Sequence, residues 1–125
     1  MQLKLGRLEN ILLSLNNLFR KELSVKISYK LKKLNKILIQ EYEQLEESRK
    51  SLIDKYALKN DDGSVVVKDN LVQFDNDNLI LFNKDFETLV NIDFEIDFEA
   101  ININDLGDIN ISPFDLMVLD EFITD

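Results

Sequence analysis

The sequence predicts an α+β protein. Its expected form is an N-terminal antiparallel helical hairpin, short then long, packed on a small antiparallel β-sheet with two further helices. Three observations carry this. Apolar residues recur every three or four positions over residues 5–22 and 25–56, as in helices that bury one stripe. Residues 92–100 alternate strictly between apolar and acidic, the period of a strand. Between them lie turn residues and short β-branched runs, which read as a hairpin.

In the first helix, over residues 5–22, Leu8, Ile11, Leu12, Leu15, Leu18 and Phe19 form the apolar stripe. Asn10, Ser14, Asn17 and Lys21 are assigned to the opposite face. Ser24 then serves as N-cap for a second helix, Val25 to Tyr56, which contains no Gly or Pro. At ~1.5 Å per residue that helix is about 48 Å long, roughly twice the first. The shorter helix cannot cover it, so the far end needs either the C-terminal half or another chain. Leu31, Leu38, Leu45 and Leu52 fall every seven residues. A leucine zipper is disfavoured, because neither heptad register supplies a second apolar series. Glu46 and Lys50 form an i, i+4 pair on the exposed side.

Lys59 to Ser64, with Asp61-Asp62-Gly63 inside it, is a turn. Val65-Val66-Val67 and Leu71-Val72-Gln73-Phe74 are the arms of a β-hairpin, and Asp75 or Asn76 caps a third helix bearing Leu79, Phe82, Phe86 and Leu89. In the strand from Ile92 to Ala100, one face carries Ile92, Phe94, Ile96, Phe98 and Ala100 and the other Asp93, Glu95, Asp97 and Glu99. The alternation slips at Ala100-Ile101, Leu106-Gly107-Asp108 turns the chain, and Ile109–Ile111 reads as a last short strand. Ser112-Pro113-Phe114-Asp115 opens a final helix, with Ser112 as cap, Pro113 at the first position and Asp115 at the third. Its apolar side is Leu116, Leu119 and Ile123. The predicted core combines Leu8, Leu12, Leu15 and Phe19 with Leu31, Leu34, Leu38, Leu45 and Leu52. Phe82, Phe86, Phe94, Ile96, Phe98 and Leu116 complete it.

The chain has 125 residues, the size of one domain, and a net charge of −9. Charge is unevenly placed. The first sixty residues hold 13 Lys and Arg against 7 Asp and Glu; the rest hold 2 against 17. The reading is a single domain, 1–125, made of a basic helical hairpin (1–58) and an acidic α/β half (59–125) that attract each other. His, Cys and Trp are absent, which excludes disulfides, Cys/His zinc sites and His-dependent triads. No apolar run is long enough for a membrane helix and the N-terminus lacks a signal-peptide core, so a soluble intracellular protein without membrane partners is expected.

No catalytic or cofactor site is predicted. Asp and Asn cluster at 60–62, 75–78 and 102–110, but Asp75–Asn78 is followed by Leu79 and Ile80 with no Gly, and Asn60-Asp61-Asp62-Gly63 lacks the distal Glu of a calcium loop. The three glycines stand alone, so no phosphate-cradling loop exists. Two candidate interaction surfaces remain. One is the acidic row Asp93, Glu95, Asp97 and Glu99, a solvated face or a mimic of a phosphate backbone. The other is the far end of the long helix, Leu45, Ser48, Leu52 and Lys55, through which homo-oligomerisation stays open. Nucleic acid is a disfavoured partner, because the acidic half repels phosphate and is the nearer partner for the basic one.

The segment Glu22 to Leu31 leads a Glu/Lys-rich helix that ends Ser51-Leu52-Ile53-Asp54-Lys55-Tyr56. An Asp-Asp-Gly turn, a valine-rich hairpin, an acidic-alternating strand and Ile111-Ser112-Pro113-Phe114-Asp115-Leu116 follow. In this order the chain resembles the DUF1617 family of small phage and prophage proteins from low-GC Gram-positive bacteria. The resemblance brings no active site and implies a phage context. The expected function is therefore non-enzymatic protein–protein interaction, as a virion or particle-assembly accessory in the host cytoplasm or the virion. The alternative is an acidic inhibitor of a host defence or DNA-binding protein, acting as a DNA mimic.

Overall fold

One helix, α2 (Val25–Tyr56), organises the α+β fold, and the rest of the chain is laid along it. The computed structural model describes residues 1–125. A strand β1 (Gln2–Lys4) and a 3-10 turn (Leu5–Arg7) lead into α1 (Leu8–Phe19), which packs on the first half of α2. A hairpin of β2 (Val67–Lys68) and β3 (Leu71–Val72) precedes α3 (Asn76–Val90), which packs on the second half. Then come β4 (Asp93–Glu95), β5 (Ile101–Asn102), a 3-10 turn (Ile103–Leu106), α4 (Pro113–Val118), a second such turn (Asp120–Phe122) and β6 (Ile123–Thr124).

The helix starts follow the capping chemistry of the sequence. Ser24 Oγ accepts from the Ile27 N–H at 3.3 Å, Asp75 from Asn78 at 2.8 Å and Ser112 from Asp115 at 3.1 Å. Each cap satisfies a backbone donor that the first helical turn leaves without an intrahelical acceptor. The hairpin closes through Asp69 and Asn70, both at positive φ (53° and 63°). A two-residue loop of this kind matches the right-handed twist of the two strands, and Asp and Asn bear the left-handed conformation better than most residues.

The strands form three two-stranded ladders rather than one sheet. β1 pairs antiparallel with β4, putting Leu3 against Phe94 and Lys4 against Asp93. β2 and β3 are antiparallel; β5 and β6 are parallel. The alternating segment Ile92–Ala100 is strand only over Asp93–Glu95, the residues that pair with Gln2–Lys4. The last bond of that ladder runs from the Ile96 N–H to the Met1 carbonyl at 3.0 Å. Ile109–Ile111 has no strand partner and is irregular. The final helix stops at Val118; Ile123 belongs to β6 instead of its apolar side. The first helix is likewise shorter than expected, with a 3-10 turn at its start and its end at Phe19.

The buried cluster joins both halves of the chain. Leu8, Ile11, Leu15 and Leu18 of α1 meet Ile27, Leu31, Leu34 and Leu38 of α2, and Leu3, Ile96, Ile101, Leu119 and Phe122 close it. Leu31, Leu38 and Leu45 of the heptad series are thus buried within the chain's own core, where no zipper partner can reach them. Phe19, expected inside, is 41% exposed at the end of α1. Leu12, Leu52, Phe82, Phe86, Phe94, Phe98 and Leu116 are half-buried at the margins. The turn at Leu5–Arg7 lies close against the end of α3. A Cβ built on Gly6 would stand 3.0 Å from the Val90 Cβ, and the Leu5 N–H donates to the Ile92 carbonyl at 2.9 Å.

Candidate interaction surfaces

The row of acids on and after β4 is exposed but not bare. Antiparallel register sets Lys4 beside Asp93, and their charged atoms are 3.3 Å apart. The N-terminal ammonium lies 3.3 Å from Glu95. Beyond the ladder, Lys30 donates to the Glu99 carbonyl at 3.2 Å. Lys30, Lys33 and Lys36 border a groove of about 590 Å³ together with Asp97 and Glu99. Three of the four ion pairs in the molecule join the basic half to the acidic one, the third being Arg7 to Glu121 at 2.5 Å. Four carboxylates in a row repel; Lys4 of β1 and the N-terminal ammonium offset that repulsion at Asp93 and Glu95.

The far end of α2 is covered by the chain itself. Leu45 is buried, and Leu52 is half-buried in a groove shared with Leu89 and Ile92 at the end of α3. Tyr56 donates to Asp85 of α3 at 2.5 Å. Ser48 and Lys55 stay exposed. The four residues predicted as one surface therefore divide: the two leucines serve the α2–α3 contact and the two polar residues face water. Glu46 pairs with Arg49 rather than Lys50, through contacts of 2.9 to 3.3 Å. The hydrogen bond from Arg49 holds the Glu46 carboxyl below the usual carboxylate range. Burial, with the charges of Glu46 and Glu9, pushes the nearby Tyr42 hydroxyl up. These side chains line a cleft of about 350 Å³ where the Leu5–Arg7 turn meets α2 and α3.

Sequence reasoning missed a third surface, at the end of the molecule where α3 begins. No residue of α3 is fully buried. Leu79, Ile80 and Leu81 are exposed in succession, Ile80 at 66%, and Val67 and Leu71 of the hairpin are more than half exposed. Phe74, just after β3, packs on Phe82 at 4.9 Å, and Phe82 stacks on Phe86 at 5.8 Å, so hairpin and helix form one unit. Asp75, the N-cap, and Asp77 in the first turn of α3 are also exposed. The signal was present in Leu79-Ile80-Leu81-Phe82. Four consecutive apolar residues on a helix span its whole circumference and cannot all face one neighbour.

A fourth feature is internal. Ser14 and Asn17 of α1 donate to the two carboxylate oxygens of Asp115 at 2.8 and 3.0 Å. Ser14, assigned to the outer face of its helix, is buried. It sits between Ile11, Leu15 and Leu18 in the same stripe, and α4 covers it. Burial raises the Asp115 carboxyl, but hydrogen bonds from Ser14, Asn17 and Ser112 and the charge of Lys21 together hold it below its ordinary value. No group of three or more His, Cys, Asp or Glu side chains is gathered to hold a metal ion, and no helix is long and apolar enough to cross a membrane.

No protein-family model matches the chain, and comparison with curated proteins and with solved structures gave no match.

Proposed function

We propose that the chain is a non-enzymatic phage or prophage protein that works by protein–protein contact, as a virion or particle-assembly accessory. The phage context rests on the sequence resemblance to the DUF1617 family. The observation that supports an interaction role is the number of exposed apolar side chains on the hairpin and the start of α3, Leu71, Leu79, Ile80 and Leu81, with Ile80 the most exposed of the three on the helix. Large apolar side chains left exposed together on a small protein mark protein-binding sites. Asp93 and Glu95 are ion-paired within the chain, which leaves Asp97 and Glu99 as the unpaired carboxylates of the row.

The test is capture of tagged protein from phage-infected cells, compared with an Ile80→Glu variant of equal thermal stability. The expected result is recovery of capsid, neck, tail or baseplate proteins by the native chain and their loss with the variant. Recovery of a host nuclease, polymerase or defence protein instead, weakened by charge reversal at Asp93 and Glu95, overturns the assembly reading in favour of the inhibitor.

A further inference from the structure

Charge on the solvent face of α2 inverts at the helix midpoint. Lys26, Lys33, Gln40, Glu47 and Asp54 recur every seven residues, share one face and are all exposed. Lys32 and Lys36 flank the first half of the row and Glu43 the second, also exposed. None of these charged side chains makes an ion pair within the chain. They cannot pair along the row, since fourteen residues separate Lys33 from Glu47, about 21 Å of helix.

The order of signs also runs against the helix itself. Acids favour a helix N-terminus and cations its C-terminus. The first turn of α2 holds Lys26 and no acid. Asp54 stands in the last turn beside Lys55. Stability of an isolated α2 therefore gives no reason for the pattern.

Symmetry gives one. Seven residues either side of Gln40 stand Lys33 and Glu47, and fourteen either side stand Lys26 and Asp54. A row with opposite charges at equal distances from its centre is self-complementary under a two-fold axis, the arrangement of an isologous dimer. We propose that a second copy of this chain packs antiparallel on this face of α2. Lys33 of each copy then meets Glu47 of the other, Lys26 meets Asp54, and Gln40 lies at the axis. The two helix dipoles oppose, so each basic N-terminal half meets an acidic C-terminal half. Tyr29 on the row and Ile39 beside it, both exposed, supply apolar contact. The interface is mostly charged, so association is weak and salt-sensitive. The inference extends the interaction reading by naming one partner, yet the two fail separately, because the surface at the start of α3 takes no part in the dimer.

The experiment is sedimentation equilibrium of the native chain, Lys33→Glu, Glu47→Lys and an equimolar mixture of the two variants, at low and high salt. The native chain is expected to dimerise at low ionic strength and to weaken about tenfold in affinity at high salt. Each variant alone sets like charges opposite and is expected to be monomeric. The mixture restores both opposite-charge pairs in a heterodimer, as does the double variant Lys33→Glu/Glu47→Lys in one chain. Unchanged circular dichroism and melting temperature establish that the variants fold. A native chain that stays monomeric at roughly 200 μM and low salt overturns the proposal. So do single variants that dimerise as tightly as the native chain, or a mixture that stays monomeric.

Discussion

The Ser14 hydroxyl donates to the Asp115 carboxylate at 2.8 Å, across 101 positions of sequence, in the contact between α1 and α4. With Asn17 on the second oxygen, this pair ties the short C-terminal helix to the core. Asp115→Ala would leave the Ser14 hydroxyl buried without a partner, and the expected cost is about 2–3 kcal/mol; Ser14→Ala should cost about 1 kcal/mol. Urea denaturation of both variants measures this. Equal, near-zero losses would mean that α4 is held by its apolar side alone.

The same carboxylate makes stability depend on pH. Its folded value lies below the ordinary one, so on acidification the unfolded chain takes up the proton first. The stabilisation is present above the unfolded value, near pH 4, and is lost as the pH falls through the folded one. Glu46, also held low, acts with the same sign. Stability measured from pH 6 down to pH 2.5 should fall less steeply in Asp115→Asn than in the native chain. Identical slopes would show that Asp115 has its ordinary affinity for protons in the folded state.

Gly6 lies in tight contact with Val90. Its missing Cβ would stand 3.0 Å from the Val90 Cβ and 3.1 Å from the Val90 carbonyl oxygen. Gly6→Ala should therefore destabilise by about 1 kcal/mol despite the better helix propensity of alanine, and Gly6→Val by more. In the Gly6→Ala background, Val90→Ala keeps the contacting Cβ and should recover nothing, whereas Val90→Gly removes it and should recover part of the steric loss, which a thermal-melt double-mutant cycle reads out.

Two leucines of one heptad series should behave differently. Leu38 is fully buried between α1 and α2, whereas Leu52 is half-buried against α3. Leu38→Ala should cost about 3 kcal/mol, within the range for a large-to-small change in a packed core, and Leu52→Ala about 1 kcal/mol. Chemical denaturation decides it, and equal costs would mean that the far end of α2 is packed as tightly as the centre.

Much of the helical frame was legible in the sequence, because helices announce themselves through period and caps. Val25–Tyr56 is bounded by Ser24 and by the loss of periodicity after Tyr56, and both limits hold in the structure. Asp75, Ser112 and Pro113 work as their types predict. What the pattern could not give was pairing. Nothing local marks Gln2–Lys4 as the partner of Asp93–Glu95, or Ile101–Asn102 as the partner of Ile123–Thr124, since two- and three-residue strands are defined by what lies beside them. For the same reason the row Asp93 to Glu99 was read as one strand with an open face, while the cations that offset it come from distant segments. Ser14 was misplaced because a polar type was weighed above its position between Ile11 and Leu18. The exposed apolar side chains of α3 were passed over because only the stripe Leu79, Phe82, Phe86 and Leu89 was followed along the helix.

The most direct test of the interaction role places a photoreactive amino acid at Ile80 and irradiates phage-infected cells. The predicted result is a cross-linked adduct to a virion structural protein, absent when the reactive group is moved to exposed Glu22, between α1 and α2. Equal labelling from both positions, or an adduct only to a host DNA-binding or defence protein, would contradict it.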